Sequence, residues 1–297
     1  MHNLHILMNF NITFLFQILQ AILFGIVEGI TEWLPVSSTG HMILLEDFLN
    51  VKSMFNNEIE GYGEAFWELF LVVIQLGAIL AVIIYFFNKL WPFSKSKTKE
   101  EKKEVFHTWG KTLVACVPAA IIGLLFDDLL DKYLYNALTV SITLIIYGVL
   151  FIILEHYNKK KEFKTQSVSQ MSYKTALIIG AIQLLALIPG TSRSGVTILG
   201  AMLIGCSRET SAEFSFFLSI PVMAGASLLK CVKFFLDYTL GLQEGLFLAV
   251  GFLVAFGVSL LAVKWLMSFV KKHDFKPFGI YRIILGIILL IYFIATI

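Results

Sequence analysis

The sequence predicts an all-α integral membrane protein with six transmembrane helices and two re-entrant helix-loop-helix hairpins in an inverted-topology repeat. Three observations lead there. Of 297 residues, 58% are hydrophobic and 15% charged, against roughly 45–50% and about 25% in soluble domains. The charges are bunched into short segments between apolar runs, several near the roughly 20 residues that a bilayer crossing requires. Two apolar stretches are broken by polar clusters that match one another. A net charge of +2 gives no footprint for nucleic acid.

The N-terminus, Met1-His-Asn-Leu-His, lacks the basic flank of a cleavable signal, so the first apolar run belongs to the mature chain. That run, 12–30, is followed by Pro35 and the Ser37-Ser38-Thr39-Gly40 interruption, then by the apolar piece 42–49, too short to cross. Helix, polar break and half-helix make a re-entrant hairpin over 12–49, tolerated at membrane depth only where protein or a watery cavity shields it. Residues 51–64 read as a polar loop, and 66–87 as a span. The loop 89–111 holds seven lysines, and the span 113–126 ends at Asp127, Asp128 and Asp131. The span 137–154 is followed by Lys159, Lys160, Lys161 and Lys164. A second hairpin, 176–204, is broken at Pro189–Gly195, and the spans 214–229, 246–270 and 278–297 complete the chain. Cys116, Cys206 and Cys231 lie in or beside apolar runs and read as small buried hydrophobes.

Lysine and arginine bias puts the loops 89–111, 156–174 and 270–277 in the cytoplasm and those near 127–135 and 230–243 outside. The first hairpin then enters from outside and the second from the cytoplasm. Shifting residues 25–44 by 155 positions pairs Gly25 with Gly180, Ser37 with Ser192, Gly40 with Gly195, Ile43 with Ile198 and Leu44 with Leu199. Glu28 meets Gln183. One membrane domain results, with repeats of about 12–155 and about 174–297, each a hairpin plus three spans. Such folds place their site where the broken elements meet.

The breaks hold the groups that could do chemistry. Glu28 and Glu32, four apart, share a helix face. Ala21 and Gly25 extend that face with small residues, open to another element or a head group. Two carboxylates suit a divalent cation, or one stays protonated by its neighbour and acts as an acid. Ser38 and His41 are the ingredients of an activated nucleophile with its base, while Ser37 suits a helix cap. In the second break Arg193 is a permanent cation between apolar halves, flanked by Ser192, Ser194 and Thr197. Its planar fork suits phosphate oxygens, and the following helix N-terminus suits an anion. A bare ion pair of Arg193 with Glu28 or Glu32 is the alternative. Together these groups fit phosphoryl transfer on a membrane-borne phosphate ester or anhydride. An anionic-lipid transporter comes second, and an intramembrane serine protease using Ser38 and His41 comes third.

Glu28-Gly-Ile-Thr-Glu32-Trp-Leu-Pro-Val-Ser-Ser-Thr-Gly-His41 and Pro189-Gly-Thr-Ser-Arg-Ser-Gly-Val-Thr197 closely resemble the two signature motifs of the bacterial undecaprenyl pyrophosphate phosphatase, or bacitracin-resistance, family. The likeness extends through Val73-Ile-Gln-Leu-Gly77 and Ala212-Glu-Phe-Ser-Phe216. The chain departs from the family in an N-terminal extension and in the lysine-rich 89–111 loop. The resemblance implies hydrolysis of the C55 lipid diphosphate to the monophosphate, recycling the carrier for cell-wall polymers. It also implies a divalent cation (Mg²⁺ or Ca²⁺) and a multi-pass protein of the bacterial cell membrane whose site opens outward. The family's functional positions fall on Glu28, Glu32, Ser38, His41, Ser192, Arg193, Ser194 and Thr197, with Glu28 and Glu32 as metal ligands. The partners implied are the polyprenyl diphosphate lipid and the bilayer, with a homodimer left open.

Overall fold

Apolar runs that must satisfy their own backbone in lipid have one economical solution, the α-helix, and a computed structural model of the chain is helical almost throughout. It describes residues 2–55, 59–134, 136–159 and 161–296. Lys160 and Ile297, and the side chains of 2–12, 124–133, 137 and 296 (Asp127, Asp128 and Asp131 among them), lie outside the described residues. The helices are α1 (His2–Thr31), α2 (Ser38–Leu49), α3 (Val51–Met54), α4 (Tyr62–Tyr85), α5 (Phe87–Leu90), α6 (Lys99–Leu134), α7 (Ala137–Asn158), α8 (Tyr173–Gln183), α9 (Arg193–Leu203), α10 (Arg208–Asp237), α11 (Leu242–Phe269) and α12 (Lys276–Thr296). A 3₁₀ turn, Leu184–Leu187, continues α8. Among the described residues the one β feature is an isolated bridge between Thr165 and Cys206.

Among the described residues seven helices are long and apolar enough to cross a membrane: Thr13–Thr31, Tyr62–Tyr85, Lys99–Gly123, Leu138–Asn158, Arg208–Asp237, Leu242–Phe269 and Lys276–Ala295. Six correspond to the expected spans. The seventh is the arm leading into the first break, long enough to cross on its own, whereas Arg193–Leu203 is too short. A second difference concerns the lysine-rich stretch. From Lys99 it is helix rather than loop. Thr98 and Glu101 form a reciprocal cap, Thr98 N donating to Glu101 Oε2 (2.7 Å) and Glu101 N to Thr98 Oγ1 (3.2 Å). That is a capping box, a local start signal that hydropathy hides beneath the charges.

α1 and α4 pack on α11, α4 on α10, α6 on α8, and α7 on α12. In lipid the hydrophobic effect does not drive helices together, so close packing of small residues must. Added Cβ atoms at Gly148 and Gly279 would each stand about 2.6–2.7 Å from the other's carbonyl oxygen, so α7 and α12 touch backbone to backbone. Gly25 faces Gly251 of α11 just as closely. The small-residue face of α1 therefore receives a helix and not a head group. Exposed Leu15, Leu19, Ile84, Leu113, Ile146, Ile153, Leu253, Leu261, Ile284 and Ile291 dress the outside, as a protein in contact with lipid requires. Cys206 is buried, and Cys116 and Cys231 are half-buried.

Candidate active site

The first break begins where α1 runs out of partners. Glu32 N still donates to Glu28 O (3.0 Å), so the two carboxylates occupy successive turns of one face, both buried. Pro35 has no N–H to continue the helix, and the chain reverses through Ser37 at φ 74°. The Ser37 side chain accepts from Gly40 N (3.3 Å), capping α2. The second break repeats this. Ser192 has φ 67°, and its side chain accepts from Gly195 N (3.1 Å), capping α9. A left-handed backbone in a non-glycine residue costs about 1–3 kcal/mol and persists only where its surroundings enforce it. Here it appears at two equivalent caps, aiming two helix N-termini from the breaks.

The breaks meet through side chains. Arg193 Nη2 donates to Glu32 Oε1 (2.8 Å), and Nη1 to Ser215 O (3.0 Å). Both members of this ion pair are nearly buried, with side chains 11% and 9% exposed, so water does little to screen it. Its guanidinium carbon lies 5.9 Å from the centre of the Trp33 ring, which packs edge-on against Phe216. Ser38 Oγ donates to the other carboxylate oxygen, Glu32 Oε2, at 2.7 Å. Ser194 Oγ reaches back to Glu32 O (3.2 Å) and lies 3.1 Å from Ser192 Oγ. Thr197 Oγ1 donates to Arg193 O (2.8 Å) and pairs with Ser215 Oγ (2.6 Å). Ser38, His41, Ser192 and Arg193 are half-buried, and Glu28, Glu32, Ser194 and Thr197 are buried.

Two expectations change. The partner that faces the Ser38 hydroxyl is the Glu32 carboxylate, not the His41 imidazole. His41 instead places Nδ1 2.7 Å from Ser37 O and Nε2 2.6 Å from Tyr281 Oη, with the two rings stacked 5.7 Å apart. Because a carbonyl can only accept, Nδ1 carries the proton. A neutral His41 thus turns its Nε2 lone pair to the Tyr281 hydroxyl. Glu32 also has both oxygens engaged, by Arg193 and Ser38. Glu28 Oε1 is buried with no hydrogen-bond partner. Among the described residues no three His, Cys, Asp or Glu side chains gather as a ready cation cage. The donor set fits a divalent ion that takes one or two carboxylates and completes its shell with substrate oxygens, with Glu28 as the free ligand.

Sequence reasoning passed over three contributors: Ser215, Tyr281 and Arg282. Ser215 lies inside the Ala212–Phe216 stretch. Arg282 is fully buried in α12, and its guanidinium donates to Pro35 O, Gly190 O and Thr191 O. The signal was available, since an arginine inside an apolar span marks function by default.

The family described as Bacitracin resistance protein BacA matches residues 21–288. An undecaprenyl-diphosphatase of Acetivibrio thermocellus is 55% identical over 280 residues, covering 94% of this chain and 99% of that protein. One from Enterococcus faecalis is 54% identical over 277 residues, 93% of this chain and 96% of the relative. Undecaprenyl-diphosphatase 1 of Clostridium acetobutylicum is 54% identical over 281 residues, 94% and 98% of the two chains.

Proposed function

This chain belongs to the Bacitracin resistance protein BacA family, and from that membership we propose that it hydrolyses undecaprenyl diphosphate to undecaprenyl phosphate and inorganic phosphate. The observation behind this is the hydrogen-bonded line Arg193–Glu32–Ser38, which joins an anion-binding cation, a base and a hydroxyl across both breaks. The relatives bear a hydrolase's name, which speaks for this reading over the lipid carrier.

The terminal phosphate of the substrate draws Arg193 off Glu32, helped by Ser192, Ser194, Thr197 and the N-terminal N–H groups of α2 and α9. Glu32, relieved of its cation, becomes the stronger base. Ser38 Oγ adds to the terminal phosphorus, its proton passes to Glu32 Oε2, and the bond from phosphorus to the bridging oxygen of the lipid phosphate breaks. Water, giving a proton to His41 Nε2, then attacks the phosphorus; the bond from phosphorus to Ser38 Oγ breaks, Ser38 Oγ recovers its proton from Glu32 Oε2, and phosphate is released. Glu28, whose Oε1 has no hydrogen-bond partner, would hold a divalent cation, Mg²⁺ or Ca²⁺, which when bound would offset the charge of the diphosphate, while Glu32, the second expected ligand, is the carboxylate that takes the proton.

An inverted repeat with two re-entrant hairpins is supported by pairs of contacts that exchange when the helices of one repeat are swapped in order for those of the other. α1 packs on α11 and α8 on α6, α4 on α11 and α10 on α6, while α4 packs on α10 and α7 on α12. The lysine bias supports a site opening to the outer face of the bacterial membrane. Phosphate release from undecaprenyl diphosphate by the purified protein in detergent tests the reaction, and no release would overturn it. Mass spectrometry of trapped enzyme separates phosphoserine from phosphohistidine or no adduct.

A further inference from the structure

One guanidinium holds both breaks. Arg282 Nη1 donates to Pro35 O (3.2 Å), and Nη2 to Gly190 O (2.9 Å) and Thr191 O (3.0 Å). Pro35 and Gly190 are themselves equivalent positions, 155 apart, so a single side chain from α12 grasps the same carbonyl of each repeat. Ser37 and Ser192, the caps that aim α2 and α9, follow two residues later in each case. The hold is tight. An added Cβ on Gly195 would stand 3.1 Å from Arg282 Nη1.

Arg282 is 0% exposed, and among the described residues no ion pair includes it. Its cation faces carbonyl dipoles and, at 5.7 Å, the Tyr147 ring, and its Nε has no hydrogen-bond partner. A buried cation without a carboxylate is a costly way to satisfy three carbonyls. Anchoring loops is also the work of Thr143, which donates to Pro189 O (2.8 Å) without a charge. What an arginine adds is a rigid planar fork that reaches two loops in one geometry. The neighbouring residue, Tyr281, meets His41 (2.6 Å), so α12 addresses the imidazole and both breaks from consecutive positions.

We propose that Arg282 is a positioning residue of the hydrolytic site. It sets the first break against the second so that Arg193 meets Glu32 and Ser38 in the arrangement that reacts. Arg282 touches no substrate. The inference rests on the hydrolase reading for its kinetic consequence, but not for its geometric one.

The test uses the full chain in detergent, with Arg282→Lys, Arg282→Met and, as a comparison, Arg208→Lys. Arg208 forms an ion pair with Glu155, away from the breaks. Per folded molecule, Arg282→Lys keeps the charge but reaches one break at a time, so kcat falls about tenfold at unchanged KM. Arg282→Met loses about a hundredfold, the scale expected of a misplacement near 1 Å. Arg208→Lys lowers the melting temperature and leaves kcat alone. In a cysteine-free background, spin labels replacing Phe48 and Leu203 report the distance between the far ends of α2 and α9. The distance distribution broadens in Arg282→Lys. If Arg282→Met does not fold, Arg282→Lys decides. Wild-type kcat in Arg282→Lys, a loss confined to KM, or an unchanged distance distribution would each overturn the proposal. A wild-type chain that releases no phosphate, with a broadened distribution in the variant, would remove the hydrolase reading and leave the positioning role standing.

Discussion

Arg193 Nη2 donates to Glu32 Oε1 at 2.8 Å, joining residues 161 positions apart in a nearly buried ion pair. The group best suited to bind phosphate is therefore already engaged by a carboxylate, and an anionic substrate must compete for it. Glu32→Gln weakens that competitor. Turnover should fall about 10²–10⁴-fold, as for loss of a general base, while inorganic phosphate binds several-fold more tightly by titration calorimetry. Weaker phosphate binding in Glu32→Gln would sink the competition.

Arg193→Ala should abolish nearly all turnover in a protein that still folds. Removing one partner of a buried pair also costs about 3–5 kcal/mol of stability, so the double variant Arg193→Ala/Glu32→Gln should melt higher than the single one. Phosphate release at the wild-type rate from Arg193→Ala would end its assignment to the substrate.

Ser38→Ala removes the hydroxyl that donates to Glu32 Oε2. Turnover should drop at least about a hundredfold, on the scale of losing a positioned proton-transfer partner, and no phosphoserine should be trapped. A phosphate adduct on His41 in that variant would transfer the nucleophile's role to the imidazole.

Tyr281→Phe keeps the stacked ring but deletes the hydroxyl on His41 Nε2. A net hydrogen bond is worth about 0.5–1.5 kcal/mol, so turnover should change by less than about tenfold, with melting nearly constant. A thousandfold loss would mean that the tyrosine itself handles a reacting proton.

Chelation tests the cation separately. With excess EDTA the wild type should lose phosphate release and recover it with Mg²⁺ or Ca²⁺, whereas Glu28→Gln should need much more metal for half-activity. Full activity in chelator would remove the cation from the mechanism.

Much of the site is legible in order of residues because apolar surroundings make polar groups conspicuous. The polar groups of the two breaks stand out for that reason, whereas the choice among them of Glu28, Glu32, Ser38, His41, Ser192, Arg193, Ser194 and Thr197 is what the family resemblance implies. The loop assigned to 89–111 shows the opposite failure. Its lysines mask the Thr98–Glu101 start signal, since hydropathy measures partition into lipid and not helix formation.

By itself the sequence determined the class of the protein, the positions of its apolar helices and the two places where they break, because a bilayer imposes those features on every local stretch of chain. It also determined the residue types at each break. Only the tertiary structure decided which group meets which. The positive φ of Ser37 turns Ser38 toward Glu32 and His41 toward Ser37 O and Tyr281, a matter of direction that spacing does not encode. Arg282, 92 residues beyond Gly190 and 247 beyond Pro35, reaches both because α12 packs beside the breaks. Such contacts depend on how helices distant in sequence cross, and a linear pattern holds no measure of that.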